Sequence, residues 1–362
     1  MTGSEVAWFS ALCDDDARQL GVSAPELLSS FGHCADIVTA AERNGFDNVL
    51  LPSGYELGID AVAFAGAVAA VTERIRLLVA VRCGEMWPPQ LARQLATLDH
   101  ISGGRLTVNI ISSDLPGTAL ESGPRYRRTA EVMSILKQLL AGRPIDHAGE
   151  FFTLAVDAPR IAREAAAARG GGSLPLYFGG LSEPAREVAA EQADVYLMWP
   201  DTLPAVEAII ADLRRRAAAH DRVLRFGYRV HVIVRESESA ARQAARHLMA
   251  ALDAETGDAM RSRSLDSASV GVGRQADLRH EAGADGFVED HLWTGIGRAR
   301  SGCGAAIVGD PDQVVAKLRQ YEALGIDCFI LSGYPHLDEC DLVARHVLPR
   351  LRGQVVSEGW PD

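Results

Sequence analysis

Val188-Ala189-Ala190-Glu191-Gln192-Ala193-Asp194-Val195-Tyr196-Leu197-Met198-Trp199 carries the change of rhythm that decides the fold. An Ala/Glu-rich helical run gives way, within a few residues and across an Asp, to a short continuous apolar run. A strand buried on both faces reads this way. Ala40-Ala41-Glu42-Arg43 leads through Asp47 into a second apolar run in the same manner. Outward from these two points the alternation continues: short β-branched or aliphatic runs, each followed by a longer stretch of helical periodicity rich in Ala, Leu, Glu and Arg. This is the βα rhythm of a parallel sheet. Strands are expected at Val6–Leu12, Asp47–Pro52, Ile75–Val81, Arg105–Ile111, Leu174–Phe178, Asp194–Trp199, Leu224–Val234 and Asp327–Ser332. Helices are expected at Leu27–Asn44, Ile59–Val71, Pro89–Ile101, Arg125–Ala141, Pro184–Gln192, Leu203–Ala219, Pro311–Leu324 and His336–Leu351. Eight strands predict a closed (β/α)8 TIM barrel. The rival, a doubly wound open sheet, would carry a Gly-rich turn after its first strand; here that turn is Cys13-Asp14-Asp15-Asp16.

Two segments break the rhythm. Ala155–Gly172 is Ala/Arg/Gly-rich and reads as a surface insertion. Glu236–Gly304 is longer, opening with a helix at Ser239–Ala254 and continuing polar and Arg/Ser/Gly-rich. In barrels such insertions sit over the active mouth. No repeat or linker divides the chain, so residues 1–362 are expected to form one barrel domain carrying these two insertions.

The charge balance, 48 acidic against 36 basic residues for a net −12, argues against nucleic acid or an anionic membrane as a general partner. No apolar run is long enough for a membrane helix, and Met1–Trp8 is not a signal sequence. The six cysteines are scattered, with no Cys-x-x-Cys pair and no His/Cys cluster at zinc spacing. We read them as reduced thiols of a cytoplasmic protein without a metal site.

Strand C-termini line a barrel's site, so unusual polar residues are expected there. Phe226-Gly227-Tyr228-Arg229-Val230-His231-Val232-Ile233-Val234 puts Arg229 and His231 on one face of an apolar strand. Burying a cation and an imidazole is costly without a purpose, although a structural ion pair with a satisfied core histidine has the same pattern. Leu331-Ser332-Gly333-Tyr334-Pro335-His336-Leu337 adds a phenol and a second imidazole after the last strand. Together Arg229, His231, Tyr334 and His336 suit binding an anion and moving protons near neutral pH. Tyr177-Phe178-Gly179-Gly180-Leu181-Ser182 runs from a strand through two glycines to a helix start, where backbone N–H groups approach a phosphate, or where an ordinary turn is made. Asn109-Ile110-Ile111-Ser112-Ser113-Asp114 offers an amide and hydroxyls either to a polar cofactor or to loop capping.

Read in order, these pieces resemble the bacterial luciferase-like flavin monooxygenases, and among them the alkanesulfonate monooxygenases. The likeness spans nearly the whole chain and is most specific in five stretches: Val71–Arg82, Ala96–Arg105, Leu176–Gly180, Arg225–Glu236 and Leu324–Leu337. It implies a two-component enzyme that takes reduced FMN from a separate NAD(P)H-dependent flavin reductase, reacts it with O2 and cleaves the C–S bond of an aliphatic sulfonate to sulfite and an aldehyde. It also implies roles by position. Arg229 and Arg300 would serve as cations for the oxyanions, and His231, Tyr334 and His336 as proton donors or acceptors. Trp199 would be a wall beside the flavin. Gly180, Ser182 and Tyr126 would hold the FMN phosphate, with Asn109 and Ser112 near the ring or ribityl chain. Arg300 falls where the family has a mobile lid. A homodimer or homotetramer is expected, with Ala-rich Val62–Ala70 allowing close helix contact.

The chain departs from the alkanesulfonate pattern at three places. The family's cysteine after Leu51-Pro52-Ser53-Gly54 is missing from Tyr55-Glu56-Leu57-Gly58-Ile59-Asp60. Leu12 and Cys13 stand where the first strand leads into a histidine, and Ser122 or Gly123 where a second precedes Arg125-Tyr126. These changes favour a substrate shaped differently from a simple alkanesulfonate. The alternative is the same reduced-FMN chemistry on a sulfone, a ketone or a natural-product intermediate.

Overall fold

The computed structural model of the chain describes residues 3–263 and 269–354. Its strands are β1 (Glu5–Phe9), β2 (Asn48–Leu51), β3 (Arg76–Arg82), β4 (Leu106–Ile111), β5 (Ile145–Ala148), β6 (Thr153–Val156), β7 (Leu176–Phe178), β8 (Val195–Met198), β9 (Arg225–Val234), β10 (Phe287–Glu289), β11 (Leu292–Trp293), β12 (Ala306–Gly309) and β13 (Cys328–Ser332). Eight of them run β1-β2-β3-β4-β7-β8-β9-β13 and close on β1, every pair parallel. This is the expected (β/α)8 barrel.

Alternation divides the core into two layers. Val6 and Trp8 of β1, Val49 and Leu51 of β2, and Leu77 and Val79 of β3 face the surrounding helices in the main cluster. Their neighbours Ala7, Phe9, Leu50 and Leu78 join Tyr177, Val195, Cys328 and Ile330 in a separate cluster that fills the barrel. Each Val, Leu, Ile or Phe side chain among them, removed from water, stabilises the fold by roughly 1.5–3 kcal/mol.

β9 departs from the simple count. Its first half pairs with β8 (Val195↔Arg225 to Met198↔Tyr228), whereas its last four residues pair with β12 (Ala306↔His231 to Gly309↔Val234). β12 therefore continues the sheet beyond the end of β8 and carries the antiparallel β11 and β10. The sequence reading has no strand at Ala306–Gly309. A four-residue run is too short to show a period.

The two irregular segments are structured where described. Thr153–Val156 completes a hairpin with Ile145–Ala148, and Arg160–Ala168 is a helix that buries Ala162 and Ala166. Ala155–Gly172 is thus packed in place, with Arg169 paired to the buried Asp99. Glu236–Gly304 contains helices Glu238–Leu248, Ala254–Ser262 and Val270–Glu281 and the β10–β11 hairpin. Its small core takes in Ala241, Ala245, Leu248, Trp293 and Ile296 together with Ala17, Leu20 and Tyr334 from two barrel loops. That shared core seats the insertion over the C-terminal mouth. No helix among the described residues is long and apolar enough to cross a membrane.

Candidate active site

β9 carries Arg229 and His231 into the barrel's upper end, and the loops after β13 and within the insertion bring Tyr334, His336 and Arg300 to them. Arg229 is 5% exposed and lies over the Phe9 ring, 3.9 Å from its centroid. Its Nη1 is buried without a partner. Burial pushes the guanidinium below its usual range, against the pull of Cys303. His231 is paired across the strands with Ser332. Its Nδ1 lies 2.9 Å from the Ser332 hydroxyl and its Nε2 lies 3.2 Å from the Cys303 carbonyl. A carbonyl only accepts, so Nε2 carries the proton and Nδ1 accepts from Ser332. Burial first, and then the Arg229 and Arg300 charges, hold this imidazole neutral. Both nitrogens are committed.

Tyr334 stacks on His231, with centroids 5.2 Å apart, and its hydroxyl accepts a 2.6 Å bond from Arg300 Nη1. Burial raises the phenol to about 12, so it keeps its proton and can donate it. Arg300 also pairs with Asp15 at 2.9 Å. The His336 ring meets Tyr334 edge-on at 5.0 Å, and its Nδ1 is 2.9 Å from Asp16 Oδ1. All five expected residues of this cluster are therefore brought together.

The first-strand loop supplies what the sequence reading missed. Asp14, Asp15 and Asp16 enter the sequence reading only as part of a turn without glycine, yet each acid has a separate task. Asp14 accepts from Ser29 N and from Gly58 N, Asp15 holds Arg300, and Asp16 joins His336 to His33. Three consecutive acids at the C-terminal end of a barrel strand were themselves the available signal. The Tyr55–Asp60 loop bears no thiol, but the fold brings one to it: a Cβ on Gly54 would stand 3.1 Å from Cys13 Sγ. Burial raises that thiol to about 12.

The other six expected residues, Asn109, Ser112, Tyr126, Gly180, Ser182 and Trp199, line a single cavity of about 250 Å³. Ser269, Val270, Gly271 and Gln275 of the insertion close its side. At one end, helix Glu183–Gln192 begins with no side-chain cap, and Ser182 Oγ is buried without a partner. A Cβ on Gly180 would stand 2.6 Å from the Ala185 methyl and 3.1 Å from the Tyr126 hydroxyl, so glycine is required for the turn to pack there. Arg125 supplies a cation nearby, with Nε unpartnered and Nη1 on Asp114. Open N–H groups, orphan hydroxyl and cation together fit a phosphate. At the other end Trp199 lies beneath the insertion, where a Cβ on Gly302 would be 2.9 Å from its ring. Arg274 grips Asp201 through two bonds of 2.8 and 2.6 Å, and Gln275 donates to the Pro200 carbonyl at 2.7 Å, so the insertion is tied down beside that tryptophan.

A TIM barrel with a cavity at its mouth that suits a phosphate, roofed by an insertion and set beside a buried Arg/His/Tyr cluster, has the layout of an enzyme site open to a phosphate-bearing cofactor. The profile of the luciferase-like monooxygenases matches residues 7–328, and the chain belongs to that family. It is an oxidoreductase, a flavin-dependent monooxygenase. It is 59% identical over 355 residues to a sulfoquinovose monooxygenase of Novosphingobium aromaticivorans, covering 96% of each chain. A sulfoquinovose monooxygenase of Agrobacterium fabrum is 50% identical over 352 residues, covering 97% of this chain and 91% of that one. Among solved structures, EDTA monooxygenase from Chelativorans sp. BNC1 superposes with a TM-score of 0.76 at 17% identity, covering 97% and 94% of the two chains.

Proposed function

We propose that this chain is the oxygenating component of a two-component system that cleaves the C–S bond of sulfoquinovose, a sugar carrying a sulfonate on C6, using FMN reduced by a separate NAD(P)H-dependent reductase. The two sulfoquinovose relatives support the substrate, and they narrow the aliphatic sulfonate expected from the sequence to a sugar sulfonate. The observation that carries this reading is a pair of orphan atoms near the Arg300 guanidinium: Arg229 Nη1, a donor, and Asp15 Oδ1, an acceptor. An alkyl chain has nothing to give the acceptor. A substrate with an anionic end and several hydroxyls satisfies both.

Reduced FMN, with O2, supplies the two electrons and the oxygen atom; the second oxygen leaves as water. The chain's own residues do the rest. Ser182, Gly180, Tyr126 and Arg125 hold the phosphate end, and Asn109, Ser112 and Trp199 line the cavity beyond it. Arg229 and Arg300 fix the sulfonate, since planar guanidinium matches its oxygens. Tyr334 donates its proton, His231 keeps Tyr334 in place by stacking, and the insertion excludes water. The products are the C6 aldehyde of the sugar and sulfite.

The test is aerobic sulfite release with FMN, a flavin reductase and NADH. Sulfoquinovose and a panel of straight-chain alkanesulfonates are each assayed with and without the protein. Protein-dependent sulfite from the sugar, at a kcat/KM at least tenfold above any alkanesulfonate, is expected. Sulfite from alkanesulfonates alone would overturn the sugar assignment, and none from any member would overturn desulfonation.

A further inference from the structure

His336 opens helix His336–His346 with its ring wholly buried. One carboxylate oxygen, Asp16 Oδ1, accepts from both its ring Nδ1 (2.9 Å) and its backbone N–H (3.0 Å). Packing against Phe9 at 5.4 Å and Tyr334 at 5.0 Å leaves the ring no second orientation that keeps these bonds. A carboxylate only accepts, so the shared proton sits on Nδ1. Asp16 is ionised: burial works against this, but His336 and His33 outweigh it and hold the acid well below its usual range. Nε2, the other ring nitrogen, is buried and meets no partner among the described residues. Leaving such an atom unsatisfied is costly, and it is the only free nitrogen on the two buried imidazoles of the cluster, because His231 has spent both of its own.

The second Asp16 oxygen, Oδ2, lies 2.9 Å from Nε2 of His33, whose side chain is 11% exposed in the first turn of helix Phe31–Arg43. One buried carboxylate thus joins an interior imidazole to one at the protein's edge.

We propose that Asp16 is a positioning residue for the reaction: it fixes the Nδ1–H tautomer of His336 so that the Nε2 lone pair faces the reacting carbon's substituents, while His33 competes for the same carboxylate from outside. This inference rests on the desulfonation reading. The step it serves is collapse of the C6 hydroxysulfonate once oxygen is on that carbon. The O–H bond breaks and its proton forms an N–H bond at His336 Nε2. The oxygen pair closes C=O, and the C–S pair departs with sulfite. Asp16 stabilises the imidazolium that results, which then returns its proton to sulfite. The charged or titratable groups around His336 are Asp16, His33 behind it, Tyr334, His231 beneath Tyr334, and Arg229 and Arg300.

Two measurements decide it. Nitrogen-15 NMR of histidine-labelled protein without cofactor should show His336 as Nδ1–H. In D16A, which removes the acceptor, that tautomer should be lost, and in D16N, whose amide oxygen can take the place of Oδ1, it should return. Removing the competing donor in H33L should strengthen the Asp16 hold and move the His336 Nδ1–H proton signal downfield. In turnover, D16A should lower kcat for sulfite release by ~10²-fold with KM within about threefold. An Nδ1–H tautomer that persists in D16A, or kcat within threefold of the parent, overturns the proposal. If D16A does not fold, an H33L proton shift identical to the parent's does so. Asp16 and His33 acting only as helix and loop supports would lower Tm while leaving the tautomer and the proton shift in place. If the parent releases no sulfite, the desulfonation reading fails, and the NMR arm still decides whether Asp16 sets the tautomer.

Discussion

Arg229 is placed at a cost to stability. Its guanidinium sits on an apolar strand, over an aromatic ring, with one nitrogen unpaired. The ring face returns part of the lost hydration, but an apolar side chain of like size would do as well or better for stability. R229M is therefore expected to release no detectable sulfite while its Tm stays equal to or above the parent's, measured by calorimetry and the sulfite assay together. A fall in Tm of more than a few degrees would mean that Arg229 is structural. R300A exposes the Asp15 carboxylate instead, and should raise KM for sulfoquinovose more than tenfold with FMN affinity within about threefold, read by steady-state kinetics and fluorescence titration.

At the scale of elements, the site is built from two different ends. Helix Glu183–Gln192 has no side-chain cap on its first turn, and Ser182 Oγ is buried there with no partner among the described residues, an arrangement that suits a phosphate. S182A should weaken FMN binding by about 1.5 kcal/mol, roughly tenfold in Kd, the worth of a hydrogen bond to a charged group; unchanged affinity would move the phosphate elsewhere. Helix Val270–Glu281 is held by Arg274 on Asp201, while the Asp201 carbonyl accepts from the Tyr228 and Tyr321 hydroxyls. Because that carboxylate is buried, R274A leaves it unpaired and should loosen the helix. Hydrogen exchange across residues 270–281 should rise about tenfold, with the barrel strands unaffected. Equal exchange in parent and variant would show that the Gln275 bond to Pro200 suffices to hold the roof.

For the whole molecule, acid is the expected weakness. Burial keeps His231 from taking a proton that the unfolded chain accepts near its ordinary value of 6.5. The unfolded state therefore binds more protons below that pH. This group costs no stability at pH 7.5 and up to about 1.4 kcal/mol per pH unit as pH falls below 6.5. Asp16 acts in the same direction lower down: its depressed carboxyl contributes stability above about 3.8 that is lost as pH falls toward its folded value. Urea unfolding at pH 7.5, 6.0 and 5.0 should show a steep loss in the parent and a shallower one in H231Q between 6.5 and 5.0. Parallel slopes would assign the acid sensitivity to other groups.

The barrel was legible because its signal is local: each buried strand is a continuous apolar run, each helix keeps its 3.6-residue period, and eight such alternations leave few other closures. Arg229, His231, Tyr334 and His336 were legible for a related reason, since polar side chains at strand ends stand out against apolar neighbours. Ala306–Gly309 was not, as a four-residue run has no period, and neither was the division of labour among Asp14, Asp15 and Asp16, because their partners Ser29, Arg300, His33 and His336 lie far along the chain. The sequence by itself determined the strand and helix rhythm and the chemical types gathered at the barrel mouth. Only the tertiary structure decided which imidazole keeps a free nitrogen, which acid holds which cation and which thiol meets the Gly54 loop. Burial and hydrogen-bond partners settle those matters, and both are made by residues distant in the chain.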